Sequence, residues 1–250
     1  MPVKHYILTR YNCVYRQAHI KRQTPAWCRH RMAVFRNVTL PSVKHQTDQN
    51  FTWLVGIYDK TPIRQRRALR KMAAAYKNMV LVPVPFGVYP SIAFRNWIRA
   101  RKHKQTIIVT SRLDSDDGLH PSFVAITKRR AIRCGTLKDG KRRVINFKHG
   151  FGVNTATRLV YELKHNASMF ISLVEPAKTV NTVYYGGTHI AIARKYPKVQ
   201  VAEPPGWVII VHAFNIANNV RMLRDRRKVT RSMSLRAAAK ALRMPTLVNI

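Results

Sequence analysis

Four apolar runs separated by helix-like stretches constrain what this chain can fold into more than any other feature. His5 to Thr9, Phe51 to Tyr58, Val80 to Val84 and Thr106 to Thr110 each read as a buried strand. Between them lie helical patterns. One starts at Ala26 and carries Trp27, Met32 and Phe35 towards Leu40-Pro41-Ser42; the others are Ile63 to Tyr76 and Pro90 to Arg101. A further helix opens at His120-Pro121-Ser122 and reaches about Arg133. Strands alternating with helices imply an α/β fold, a parallel sheet flanked by helices on both faces. Pro83 cannot donate to a sheet ladder, which puts the third strand at an edge or a strand end. Ligands on such sheets bind at the carboxyl ends of the strands. Arg10, Asp59 and Asp114 to Asp117 all fall there, so they are expected to converge on one crevice.

After Gly135 the texture changes. Lys138-Asp139-Gly140-Lys141 reads as a hairpin turn. Short apolar runs around Val144 to Phe147 and Leu159 to Leu163, then Phe170 to Glu175 and Trp207 to His212, are strand candidates. This half is expected to add mixed β elements as extra sheet laid against the first. Leu235, Ala238, Ala239 and Leu242 recur at helical spacing between basic residues near the end of the chain.

The charge balance bounds the partners. Lys and Arg number 46 against 10 Asp and Glu, a formal net charge of +36. Such a field draws polyanions, and binding driven by it weakens steeply with salt. The basic residues are scattered along the chain, which suggests a folded basic surface rather than a disordered arm. Three cysteines, far apart and in no Cys-x-x-Cys pair, support neither a zinc site nor a disulfide framework. A reducing cytoplasm is the simplest setting. The first residues enter a strand directly, and no run approaches the roughly 20 apolar residues that spanning a bilayer takes. The expectation is a cytoplasmic protein without a transmembrane segment, soluble or peripheral to a membrane.

Against this background Asp114, Asp116 and Asp117 stand out. They follow the Thr106 to Thr110 strand, and because side chains on a strand alternate faces, Asp114 and Asp116 are expected to point the same way. Paired carboxylates repel unless a cation sits between them, and hard oxygen ligands suit Mg²⁺ or Mn²⁺. The plainer alternative is an Asp-rich turn that caps the following helix.

The chain resembles a rhamnosyltransferase family, glycosyltransferases of the GT-A type, over most of its length. The matching pieces begin with Leu8-Thr9-Arg10-Tyr11-Asn12, then Trp27 with Arg31 and Phe35, then Leu40-Pro41-Ser42-Val43. Gln46 to Val55 and Ser111 to Asp117 follow. Later come Ser172 to Glu175, Val180 to His189, Trp207 to His212, and Asn215 to Asn218. The resemblance implies a GT-A-like domain over 1–250. Residues 1–134 would bind the nucleotide sugar, 135–230 would form the acceptor and metal half, and 231–250 a basic C-terminal helix.

It also implies a nucleotide-sugar donor, held through its diphosphate by Mn²⁺ or Mg²⁺ on Asp114, Asp116 and His212, with His189 the alternative histidine. Arg10, Asp59, Arg112 and Asp114 would bind the donor, and Glu175 would serve as the base. The acceptor would be a glycan or another anionic molecule. The charge of +36 is not something such a family requires. A basic nucleic-acid-binding protein is the competing reading, with Tyr11, Tyr15 and Trp27 among Arg10, Arg16, Lys21, Arg22 and Arg29 as stacking residues. A glycosyltransferase that acts on nucleic acid would combine the two.

Overall fold

The computed structural model describes residues 3–101, 107–215, 223 and 229–249. Thr106, Ile216 to Asn218 and Asp225 lie outside them. Four parallel strands form the first half: β1 (Val3–Arg10), β2 (Thr52–Tyr58), β3 (Met79–Val84) and β4 (Ile107–Arg112). Their sheet order is β4-β1-β2-β3, with β3 and its Pro83 at the edge.

Alternate residues of each strand feed opposite faces, as the two-residue period of a strand requires. Tyr6 and Leu8 of β1 and Leu54 of β2 pack against Phe94 and Ile98 of α5 (Pro90–Arg99). Ile7, Trp53 and Val55 pack on the other face. There they meet Phe35, Leu69 of α4 (Ile63–Ala74), and Phe123 and Val124 of α6 (Phe123–Arg133).

A short helix, α1 (Gln17–Arg22), follows β1. The helix that starts with α2 (Pro25–Val34) is capped by the Thr24 hydroxyl, which accepts from Trp27 N–H. It widens into a π turn over Phe35–Thr39 before α3 (Leu40–Lys44). Pro41 has no N–H to give an upstream carbonyl, and its ring crowds the preceding turn, so the widening falls where a regular helix cannot pass.

The expected hairpin at Lys138 to Lys141 is instead a one-turn helix, α7 (Thr136–Asp139). It lies between Gly135 and Gly140, both at positive φ, while the Asp139 carboxylate accepts from Lys141 N–H. That local side-chain bond competes with strand pairing.

The C-terminal half divides between two sheets. From it β6 (Arg143–Phe147), β9 (Ser172–Pro176) and β10 (Lys198–Val201) extend the first sheet to seven strands, in the order β10-β6-β9-β4-β1-β2-β3. The second sheet has the order β12-β8-β7-β11-β5. It consists of β5 (Gly118–Leu119), β7 (His149–Asn154), β8 (Leu159–Lys164), β11 (Trp207–Val211) and β12 (Val229–Ser234). After β9 comes α8 (His189–Lys195), and Phe151, Val160 and Ile210 of this sheet pack under α9 (Leu235–Ala241).

Trp207 lies across Gly150 so closely that a Cβ there would come 2.1 Å from the indole. The fold is therefore α/β with a mostly parallel main sheet, and the acidic segment crosses from β4 of one sheet to β5 of the other. Among the described residues no helix is long and apolar enough to cross a membrane.

Candidate active site

The acidic segment leaves the first sheet at Arg112. The Leu113 N–H still donates to the Leu8 carbonyl (3.1 Å), but Asp117 N–H folds back to the Asp114 carbonyl (3.3 Å). Extended backbone therefore ends before the carboxylates. Asp114 and Asp116 do not share one strand face; each takes its own partners.

Asp114 turns towards β1. Its Oδ1 accepts from Arg10 (3.1 Å), and its Oδ2 lies 3.6 Å from Arg112. The β1–β4 register sets Leu8 beside Arg112, so the chain ends carry Arg10 to Asp114. Both guanidiniums lie over the Tyr184 ring, at 4.8 and 5.2 Å from its centroid. Burial pushes the Asp114 carboxyl up, but Arg112 and Arg10 outweigh it and bring its pKa down to about 2.

Asp116 turns towards the second sheet. Its Oδ2 collects Arg31 (2.8 Å), Asn215 (3.1 Å) and His212 (3.2 Å). Arg31 stacks over Trp27 at 4.8 Å and also donates to Ser115 (3.1 Å), so α2 supplies a buried cation to the acidic turn. Phe214 N–H donates to His212 Nδ1 (3.2 Å), which leaves the ring proton of the neutral imidazole on Nε2, aimed at Asp116.

Asp117 is fully buried and accepts from Ile210 N–H (3.0 Å), locking the turn onto β11. Burial, then the charges of Asp116 and Asp114, push its pKa well above the carboxylate range. It anchors the turn.

Arg10, Arg31, Arg112, Asp114, Asp116 and Asn215 line one cavity of about 370 Å³ with Asn12, Tyr15, Gln23 and His189; His212 and Asp117 are not in its lining. That volume suits a small ligand. Burial, then the Arg112 charge, lower the His189 pKa to about 4, so its imidazole is neutral at physiological pH. Tyr11, Tyr15 and Trp27 belong to this cavity too, and the Tyr11 ring is buried against Phe35.

Two expected site residues lie elsewhere. Glu175 is fully buried opposite Ile108, three residues along β4 from Ser111, towards the other end of the strand. Its carboxylate accepts from Arg142 (2.9 Å), Asn181 N–H (3.0 Å) and Thr182 N–H (2.9 Å). It holds the turn after β9 and does not reach the cavity. Asp59 does end β2, but it lines a separate cavity with Arg66 and Arg70. Asn12 takes the inner position instead, accepting from Tyr58 N–H (3.0 Å) and donating to Thr61 (3.0 Å).

Arg31, Tyr184 and Asn215 complete the site beyond the residues expected. All three lie in pieces that carry the family resemblance, but nothing local gave Arg31 a role among the 46 Lys and Arg.

A divalent cation with bonds of about 2.1 Å sets adjacent ligand atoms roughly 3 Å apart. Asp116 Oδ2 and His212 Nε2 are 3.2 Å apart, which fits two such ligands. Asp114, turned to two arginines, is not part of that pair. Among the described residues no group of three His, Cys, Asp or Glu side chains forms a cage.

The sequence matches the family model described as "Putative rhamnosyl transferase" over residues 14–224, more than four-fifths of the chain. The chain belongs to this family.

No curated protein matches the sequence. Solved structures of similar shape include S. aureus TarS 1-349, at 9% identity, a TM-score of 0.45, and coverage of 83% of this chain and 60% of that one. The same TarS fragment in complex with UDP matches at 9% identity and a TM-score of 0.44, with the same coverage. Another is 4-diphosphocytidyl-2C-methyl-D-erythritol synthase from Anaerococcus prevotii DSM 20548, at 10% identity and a TM-score of 0.40, covering 86% of this chain and 90% of that one. This chain thus spans three-fifths of the TarS fragment it resembles.

Proposed function

We propose that this protein is a metal-dependent glycosyltransferase, moving a sugar, rhamnose by family, from a nucleotide-sugar donor to an acceptor hydroxyl. The observation that carries the reading is the placement of Arg10 and Arg112 beside Asp116 in one cavity, at the carboxyl ends of β1 and β4, with His212 behind Asp116.

Arg10 and Arg112 would take the donor diphosphate, two fixed guanidiniums on the Tyr184 ring needing little reorganisation as charge builds on the leaving group. Tyr15, His19 and Gln23 would flank the nucleoside at the Asn12 end of the cavity. Asp116, with His212, would hold Mn²⁺ or Mg²⁺; the diphosphate and water would fill the remaining positions, as is usual for Mg²⁺ on phosphates. When bound, the cation supplies Lewis-acid neutralisation of the departing nucleoside diphosphate.

The anomeric C–O bond to the diphosphate breaks, a bond to the acceptor oxygen forms, and the hydroxyl proton leaves. His189, neutral and lining the cavity, would take that proton, acting as a weak base at its lowered pKa.

Calorimetric titration of a nucleoside-diphosphate panel, with and without Mn²⁺, tests the reading. Metal-dependent binding that vanishes in Asp116→Ala is expected, and the preferred base would narrow the sugar. Binding indifferent to both metal and mutation, and abolished by moderate salt, would overturn it.

A further inference from the structure

The charge of +36 is unexplained by the donor site, and the ion pairs show where it remains uncompensated. The described acids are largely committed to internal partners: Asp48 to Lys128, Asp114 to Arg10, Asp116 to Arg31, Asp139 to Arg143 and Glu175 to Arg142. Helix α4 is the opposite case. It carries no acid, and Arg64, Arg67, Arg70 and Lys71 are exposed along one face without an ion-pair partner among the described residues.

Leu69 and the half-buried Met72 and Ala73 fix the other face of α4 to the sheet, so the cationic face cannot turn inward. Hollows of about 510 and 380 Å³ flank the helix, one rimmed by Arg66 and Arg70, the other by Arg36, Lys44 and Lys71. Helix α4 is thus a basic ridge between two basic-rimmed troughs.

We propose that this ridge docks on the phosphate backbone of double-stranded DNA. A helix is about 10–12 Å across with its side chains, and the major groove is roughly 12 Å wide. The ridge can enter the groove while the bordering strands lie over the troughs. The surface suits phosphates better than a lipid monolayer. Apart from Ile63 at its start, α4 exposes no large apolar side chain, and Ile57, Met79, Leu40 and Met72 of the troughs are buried or half-buried. The contact is to backbone and carries no sequence preference.

The test compares binding of a short DNA duplex, by fluorescence anisotropy across a salt series, for the wild type and two triple variants of equal charge change. Arg64→Gln/Arg67→Gln/Arg70→Gln removes the ridge; Arg236→Gln/Lys240→Gln/Arg243→Gln removes exposed cations near α9. Each lost phosphate contact reduces the slope of log K against log salt by about 0.9. The ridge variant should therefore lose nearly 3 in slope and at least about tenfold in affinity at physiological salt, with the α9 variant close to wild type. Equal weakening in both variants would reduce the effect to overall charge and overturn the proposal. So would tighter binding to phosphatidylserine vesicles than to the duplex. None of the three ridge arginines lines the donor cavity, so nucleoside-diphosphate binding should be unchanged in the ridge variant, and the two readings fail separately.

Discussion

Asp116 Oδ2 and His212 Nε2 are 3.2 Å apart although 96 residues separate them in the chain. They meet because β5 follows the acidic turn directly and pairs with β11, which ends one residue before His212. The Phe214 N–H on Nδ1 makes His212 a donor to Asp116, and ligation through Nε2 would require that proton to move and the Phe214 contact to break. On the proposed function, Asp116 would then be the primary ligand. Asp116→Asn should abolish the Mn²⁺ enhancement of nucleoside-diphosphate binding. His212→Gln, which keeps an amide donor, separates the remaining alternatives in the same titration: retained enhancement means His212 orients Asp116, and loss equal to that of His212→Ala means it ligates.

Arg31 is a buried cation whose ion-pair partner is a buried acid. Its side chain and that of Asp116 are each 8% exposed. Taking one member from such a pair leaves an uncompensated buried charge, typically about 3–5 kcal/mol. Arg31→Met should lower stability by an amount of that order, read from urea midpoints. Combining it with Asp116→Asn should recover part of the loss, since the orphaned carboxylate is then gone. A strictly additive double variant would show that the two side chains are not coupled.

Glu175 carries a separate expectation. As a fixed acceptor of Arg142 and two backbone N–H groups, it should behave as a structural residue. Glu175→Gln is expected to cost about 1–3 kcal/mol in stability while leaving donor affinity and turnover per folded molecule near wild type. A selective fall in kcat with unchanged stability would return Glu175 to the chemistry.

The main sheet was legible because it obeys local rules. Alternating strands and helices and the edge position of Pro83 follow from residues close in sequence, and the convergence of Arg10 with Asp114 follows from both ending strands of one parallel sheet. The second sheet was legible in part: β8 and β11 fall on the apolar runs Leu159 to Leu163 and Trp207 to His212. β7, rich in glycine as His149-Gly150-Phe151-Gly152, gives no strand signal, and its glycines are there because Trp207 and Leu223 occupy the space. Asp114 and Asp116 were visible as acids, but their separation onto Arg10 and Arg31 depends on a turn whose partners arrive from four other elements. Glu175 misled because it ends a strand; that strand runs antiparallel to β4, so its carboxyl end lies away from the site.

Acid sensitivity should begin at the buried histidines. His5 is fully buried on β1 with Nε2 2.7 Å from Ser111 Oγ, and burial, then the Lys128 charge, lower its pKa to about 3. The unfolded chain, with an ordinary value near 6.5, therefore binds more protons between those limits, and stability rises with pH across that window. It is fully present above about pH 6.5, falls as the pH drops through the window, and levels off below about pH 3. His120 and His189, both lowered to about 4, add slope of the same sign, whereas the raised carboxyls of Asp117 and Glu175 oppose it. The His5 share is on the order of a few kcal/mol. Urea unfolding at a series of pH values from neutral to about 4 should show this loss. His5→Gln, which can still hydrogen-bond Ser111 but cannot titrate, should flatten the slope; an unchanged slope would place the acid sensitivity elsewhere.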